Sequence, residues 1–464
     1  MKRPGFEHRI VFDVTDFIAY SHATMSPTGI QRVVERLLGS QVLQQAPDVF
    51  FVFRTKNADT FWSFDKSLLS TLRQPDKQRD AIVRLRALDQ YRRDRFLLTR
   101  AQARPWKFLK RKYRDASRRV QRIEIMESCV PFQVRASDVL VIPGAFWIDE
   151  DISQLYAQLR QRHQLRLVLF VYDLIPINQA WCVPYSAGFE REFRKLILNC
   201  DQIVTISKHV AREATEYLIA AGAGSKPIFT LSFGWDFPEQ YNGMECDTLS
   251  KYELTPRDFI MVVGTIERRK NQLLVARSAY NLYSHLGDKV PPIIFVGKCG
   301  VGAEFIEEEL ASMGYLNQRL RILRDITDQE LANLYAGCRF TIFPSFAEGW
   351  GLPVQESLAF GRPCLASRTT SIPEAGLDLA TYFDPYDLAA FQELLANWLQ
   401  EPRRVSEAEE RIARHMVGHK PFTWEQTASA LMDKIRPKAN VAPEQHGSTA
   451  NWPEGCAGQQ LEHD

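Results

Sequence analysis

Ten short apolar runs, set in two series of five with a break between them, constrain this chain more than any other feature. The first series falls at residues 9–14, 50–54, 138–142, 166–172 and 202–206, and the second at 259–263, 292–296, 320–323, 339–343 and 363–366. Each run has the length of a buried strand, and several of the intervening stretches carry helical patterns. Strands that alternate with helices build open parallel sheets, because a parallel connection needs a crossover of about a dozen residues or more. The break begins at Phe233-Gly234-Trp235-Asp236 and continues as a polar stretch to Pro256, so the chain divides into two α/β units.

The pattern predicts an N-terminal domain over 1–235, a linker over 236–256 and a C-terminal domain over 257–415. A helix within 416–436, centred on Thr423 to Ile435, is placed to cross back onto the first domain. From 437 to 464 apolar periodicity gives way to Pro, Gly and polar residues, which predicts a disordered tail. Near the start, a strand at 9–14 is joined to a helix over Ile30 to Gln41 by a loop, Thr15 to Gly29.

Several classes are excluded or disfavoured. The longest apolar run, Leu167 to Tyr172, stops at Asp173, far short of the ~18 residues that a membrane-crossing helix needs. Met1 to Ile10 carries Lys2, Arg3, His8 and Arg9 without a following apolar segment, so no secretory signal is expected and the expected compartment is the cytoplasm. Eight cysteines stand singly, with no Cys-x-x-Cys pair to suggest zinc or a redox couple.

The net charge of +2 gives no overall field toward nucleic acid or membrane, yet it conceals a local imbalance. Between Arg84 and Arg122 there are fifteen Arg and Lys against three acids, a local net charge of +12. Trp106, Leu109, Tyr113, Ala116, Val120 and Ile123 recur there at helical spacing, so the segment 84–123 reads as a basic amphipathic helix. Two readings stand: peripheral contact with an anionic membrane, or a stripe docked on its own domain with the cations in solvent. No nucleic-acid motif accompanies it.

In the second unit, Val263-Gly264 ends a strand, and Arg268, Arg269 and Lys270 precede a helical pattern that begins at Gln272. Cations at a helix N-terminus oppose its dipole. Their presence is explained by an anion held between them and the free N–H groups, or by a solvated basic turn. The strand 339–343 runs into a loop with Glu348, Gly349, Gly351 and Leu352, followed by a helix from about Pro353 to Phe360 that places Glu356 in its first turn. Glycines there permit a tight turn or close approach to a ligand. Asp173 lies at the C-terminal end of a parallel strand, where α/β folds bind ligands, and it also suits a turn-capping role. Gly29 precedes a helix whose N–H groups face the cleft or are simply capped.

Together, Gly264 through Asn271, Phe346-Ala-Glu-Gly-Trp-Gly-Leu-Pro-Val-Gln-Glu356 and Ser371-Ile-Pro-Glu-Ala-Gly376 resemble the retaining GT-B glycosyltransferases of family 4. Ser26-Pro-Thr-Gly-Ile-Gln-Arg32, Val171-Tyr-Asp-Leu-Ile-Pro176, Ile203-Val-Thr-Ile-Ser-Lys208 and Phe383-Asp-Pro-Tyr-Asp387 are similar to further segments of that family, notably O-antigen and capsule mannosyl- and rhamnosyltransferases. The resemblance implies an α/β GT-B fold, two Rossmann-like domains facing each other across a cleft. It implies transfer, with retention, from a nucleotide-sugar donor, GDP-mannose first, to a hydroxyl of a glycan or lipid-linked saccharide.

By that resemblance Lys270 with Arg269 or Arg268 binds the diphosphate, Glu348 contacts the transferred sugar, and Glu356 accepts from the ribose hydroxyls. The catalytic set is Glu348, Asp173, Lys270 and Arg269, and no metal or other cofactor is expected because the cations stabilise the leaving group. Two positions depart from the family pattern: Thr265 replaces a frequent arginine, and Tyr172 replaces a frequent histidine. The rival readings are an epimerase or phosphorylase on the same architecture and a non-catalytic glycan- or lipid-binding scaffold. The paired glutamates and the basic cluster argue against both.

Overall fold

The structure is a computed structural model. It describes residues 8–23, 29–54, 60–72, 77, 80–89, 129–148, 152–183, 186–235, 246–418 and 422–437.

Eight strands form the first sheet: β1 (Ile10–Asp13), β2 (Val49–Arg54), β3 (Phe61–Ser63), β4 (Val130–Phe132), β5 (Val139–Ile142), β6 (Arg166–Val171), β7 (Gln202–Thr205) and β8 (Ile228–Thr230). Their order is β4-β3-β2-β1-β5-β6-β7-β8. β3 runs antiparallel to both β2 and β4, which corrects the expectation of a wholly parallel sheet. The cause is loop length: too few residues separate Arg54 from Phe61 for a crossover, so the chain must turn back as a hairpin.

The second sheet contains β9 (Ile260–Val263), β10 (Ile293–Val296), β11 (Leu320–Leu323), β12 (Phe340–Phe343), β13 (Cys364–Ser367) and β14 (Thr381–Phe383). It is ordered β11-β10-β9-β12-β13-β14, with every pair parallel. In both sheets the strand order reverses beside the first strand, between β1 and β5 and between β9 and β12. Crevices outside the C-terminal ends of strands at such points are where open α/β sheets bind ligands.

Local structure departs from expectation in three further places. Thr15–Ala23 is a helix rather than part of a loop. Asp13 Oδ1 caps its start by accepting from the Thr15 amide at 2.9 Å, and Phe17 and Ile18 bury themselves in the core. The next helix, Ile30–Leu38, ends at Gly39 rather than continuing to Gln41, because Ser40 caps a separate short helix, Gln41–Gln45. Within the stretch read as linker, Cys246–Lys251 is helical, and Leu249 and Leu254 pack into the second domain's core.

The last helix, Trp424–Ile435, starts with a capping box of Thr423 and Gln426. Its Trp424, Ala428, Leu431, Met432 and Ile435 are buried in the first domain's core. Each large apolar side chain buried this way contributes roughly 1.5–3 kcal/mol. Trp235 N donates to Phe422 O at 2.7 Å, so the outgoing and returning strands of chain are hydrogen-bonded where they cross. Phe233 stacks on Trp424 at 5.2 Å and meets Trp350 edge-on at 5.9 Å, which ties that crossing to the loop carrying Glu348.

Residues 80–89 are helical, and Ala81, Ile82, Leu85 and Leu88 dock into the first core. The rest of the basic segment, including the stripe from Trp106 to Ile123, and the tail from 438 lie outside the described residues. Among the described residues no helix is long and apolar enough to cross a membrane.

Candidate functional site

The turn after β9 places the first group. Arg268–Lys270 forms a single 3₁₀ turn, and Asn271 takes a left-handed conformation before the helix Gln272–Leu286. With three residues per turn, successive side chains point in three directions. Arg269 and Lys270 face inward and Arg268 is exposed to solvent, so Arg269 is the second cation and Arg268 does not join the site.

Glu348 meets both inward cations. Lys270 Nζ lies 2.6 Å from its Oε1, and Arg269 Nη1 lies 2.8 Å from its Oε2. Arg269 also pairs with Glu267 at 2.8 Å and donates to Ala347 O at 2.8 Å. Burial pushes the Glu348 carboxyl up, but the charges of Arg269 and Lys270 outweigh it and hold the group down to about 2. Burial lowers the Lys270 ammonium, with Glu348 opposing the shift in part. Two carboxylates, Glu267 and Glu348, thus balance two cations, Arg269 and Lys270.

The backbone of the Glu348 loop is fixed by Ser371, whose hydroxyl donates to Glu348 O at 2.6 Å and Trp350 O at 2.9 Å. Gly349 is required by close approach: a Cβ there would lie 1.9 Å from Tyr172 O, across the domain boundary. Gly351 has φ +139°, a region that side-chain-bearing residues rarely adopt. The helix that follows is Leu352–Ala359, which places Glu356 in the second turn rather than the first. Its partners are side chains, not the helix's own N–H groups.

Arg32 of the first domain donates to Glu356 Oε1 at 2.7 Å and to Asp328 Oδ1 at 2.7 Å. The Tyr335 hydroxyl donates to Glu356 Oε2 at 3.0 Å. Arg32 Nε is buried without a hydrogen-bond partner. A second contact between the domains is made by Glu374, whose carboxylate accepts from the Lys208 and His209 amides at 2.7 and 2.8 Å, at the start of the helix Lys208–Ala220.

Asp173 caps the next turn, accepting from the Ile175 amide at 3.1 Å, and it also faces the cavity. Burial raises its carboxyl to about 6 despite the opposing charge of Arg269. The Tyr172 hydroxyl is committed to Pro143 O at 2.6 Å.

One cavity of about 350 Å³ between the domains collects these groups. Gly29, Asp173, Gly264, Arg269, Lys270, Glu348, Gly349, Gly351, Leu352 and Glu356 all line it, together with Thr265. Arg32, Lys298, Asp325 and Asp328 also line it, and local sequence reading missed them. Arg32 stood within a motif already singled out, but nothing local indicates a partner 324 residues away. Among the described residues no group of three or more His, Cys, Asp or Glu side chains is placed to hold a metal ion. The sequence also contains an Asp-x-Asp triplet, Asp149-Glu150-Asp151, which lies outside the described residues.

Fold and site define a two-domain α/β protein that closes over a buried cluster of paired cations and carboxylates. Residues 250–415 match the family described as Glycosyl transferases group 1. The O-antigen chain mannosyltransferase B of Escherichia coli is 33% identical over 193 residues, covering 41% of this chain and 49% of that protein. The serotype-specific mannosyltransferase WbdA of Escherichia coli is 29% identical over 283 residues, covering 58% of this chain and 33% of that protein. The matched part of the chain therefore spans about half the length of the first relative and a third of the second.

Among solved structures, Anabaena Alr3699/HepE in complex with UDP-glucose aligns over 92% of this chain and 99% of its own, with a TM-score of 0.57 at 11% identity. The fold is thus GT-B. The second domain is a glycosyl transferases group 1 domain, and the chain resembles O-antigen mannosyltransferases.

Proposed function

We propose that this protein is a metal-independent retaining glycosyltransferase that moves a mannosyl or related hexosyl group from a nucleotide sugar, GDP-mannose first, to a hydroxyl of a glycan or lipid-linked saccharide in bacterial surface polysaccharide assembly. The observation that carries the reading is the meeting of Lys270, Arg269, Glu348 and Glu356 in one interdomain cavity. The mannosyltransferase relatives and a fold neighbour holding UDP-glucose support a hexosyl donor linked through a diphosphate.

In this reading the bond from the sugar's anomeric carbon to the diphosphate breaks, and its electron pair stays on the diphosphate oxygen. The acceptor oxygen bonds to the same face of that carbon and its proton passes to the departing diphosphate. Lys270 and Arg269 stabilise the charge that develops, and their fixed, largely buried positions make them more effective than mobile ions in water. Glu348, released from the cations by the diphosphate, turns to the hydroxyls of the transferred sugar, and Glu356 accepts from the ribose. The basic segment 84–123 extends the proposal to peripheral contact with the anionic cytoplasmic face of the membrane, supported by its local charge of +12.

The test is transfer from radiolabelled GDP-mannose to mannose-terminated acceptors, with the product's anomeric configuration read by NMR. The expected outcome is an α-linked product, with turnover reduced at least ~100-fold in Lys270→Ala and Glu348→Ala. Wild-type turnover in both variants contradicts the assignment.

A further inference from the structure

Three aromatic rings contact one another beside the Arg268–Lys270 turn without lining the cavity. Trp181 comes from the first domain, in the 3₁₀ turn Ala180–Cys182. Phe346 lies two residues before Glu348, and Tyr386 lies in the loop after β14. Trp181 meets Phe346 edge-on with centroids 5.1 Å apart, and Phe346 stacks on Tyr386 at 4.9 Å with an interplanar angle of 28°. Trp181 is 48% exposed and Tyr386 61% exposed. Large apolar rings grouped on the surface beside a binding cavity mark contact sites more often than isolated ones do.

The shelf is built onto the cationic turn. Phe346 N donates to Arg269 O at 2.9 Å, and Asn271 Nδ2 donates to Pro385 O at 3.0 Å, next to Tyr386. The residues flanking Lys270 therefore position two of the three rings. Trp181 Nε1 donates to Gln179 Oε1 at 2.9 Å, which supplies a polar edge beside the apolar one.

Sheet order indicates what occupies the shelf. The cavity reaches Val296, Gly297, Leu323 and Asp325 at the ends of β10 and β11, while the shelf is carried by the loops after β12 and β14, toward the opposite edge. A nucleotide sugar with its diphosphate on Lys270 fills the first direction with its nucleoside. The ligand beyond Glu348 is then the acceptor. A pyranose has one face of C–H groups and a rim of hydroxyls, which matches aromatic rings edged by an amide.

We propose that Trp181, Phe346 and Tyr386 form a saccharide subsite that stacks a pyranose ring of the acceptor, with Phe346 linking its occupancy to the turn that holds the donor diphosphate. The proposal rests on the glycosyltransferase reading and specifies its acceptor side.

The test is calorimetric titration of the full chain with α-mannotriose in the presence of GDP, and separately with GDP alone. We expect mannotriose to bind the wild type, to bind at least fivefold more weakly to Trp181→Ala and Tyr386→Ala, and to recover to within twofold in Trp181→Phe. GDP affinity is expected to stay within twofold of wild type in all of them. The proposal is overturned by unchanged mannotriose affinity in both alanine variants, by no mannotriose binding to the wild type, or by GDP affinity falling in the same proportion. That last result would make the rings a clamp between the domains. Failure of GDP to bind the wild type would instead count against the glycosyltransferase reading, whatever mannotriose does.

Discussion

The two walls of the cleft treat carboxyl groups in opposite ways. On the first-domain wall, burial raises Asp173 to about 6. On the second-domain wall Glu348 is no less buried, yet it is held down to about 2. The difference lies in neighbouring charge: Glu348 has two cations within 2.8 Å, whereas Asp173 has Arg269 only as a more distant opposing charge. Burial alone pushes an acid toward neutrality, and the paired cations with their hydrogen bonds keep Glu348 ionised. The second wall is therefore arranged around full charges and suits an anion. The first wall presents Asp173, whose carboxyl burial has raised, and suits hydroxyl groups.

The largest disturbance to this contrast is Glu348→Gln, which leaves Arg269 and Lys270 facing each other without their shared partner. We expect a loss of about 3 kcal/mol in stability at pH 7, measured by urea unfolding. The pH dependence gives the sign. Because the folded pKa is depressed, Glu348 contributes stability above its unfolded value of about 4.3, and this is lost as pH falls toward 2. The variant should lack that part of the acid slope.

Arg32→Ala comes next, since it strands Glu356 and Asp328 and removes both ion pairs that Arg32 makes across the domain boundary. A loss of about 2 kcal/mol is expected, together with a larger radius of gyration in small-angle scattering. An unchanged radius would show that the remaining contacts, among them Glu374 on the Lys208 and His209 amides, suffice to hold the domains together.

The smallest effect belongs to Asp173→Asn, and its sign is opposite. With a folded pKa above the unfolded one, Asp173 favours the fold below about pH 4, and that advantage is lost as pH rises through 6. The Asn variant should be more stable than wild type at pH 7, by on the order of 1 kcal/mol, and should show a flatter profile between pH 4 and 6. Lower stability at pH 7 would show that the Asp173 charge is paired more effectively than its burial implies.

The ten apolar runs correspond to ten of the fourteen strands among the described residues, because a buried parallel strand needs apolar side chains on both faces and shows as a continuous run. β3, β4, β8 and β14 are three-residue strands, and three of these four carry residues that are not buried, so they leave no such run. The site shows the same division. Lys270 and Glu348 lie in strand-to-helix connections and Glu356 in the helix that follows one, so contiguous turn and helix chemistry exposes them to local reading. Arg32, Asp328 and Tyr335 are found only through pairing across distant segments, which no local pattern encodes. Arg268 shows the converse limit: it shares the motif of its neighbours, but the 3₁₀ turn points it into solvent.

The central claim is that Lys270 and Arg269 form a preassembled seat for the diphosphate of a nucleotide sugar. Calorimetric titration of GDP-mannose into the wild type and Lys270→Ala tests it most directly. The account predicts saturable binding to the wild type and at least tenfold weaker binding to the variant. Equal affinity for both proteins, or no binding of GDP-mannose or any other nucleotide sugar to the wild type, would contradict it.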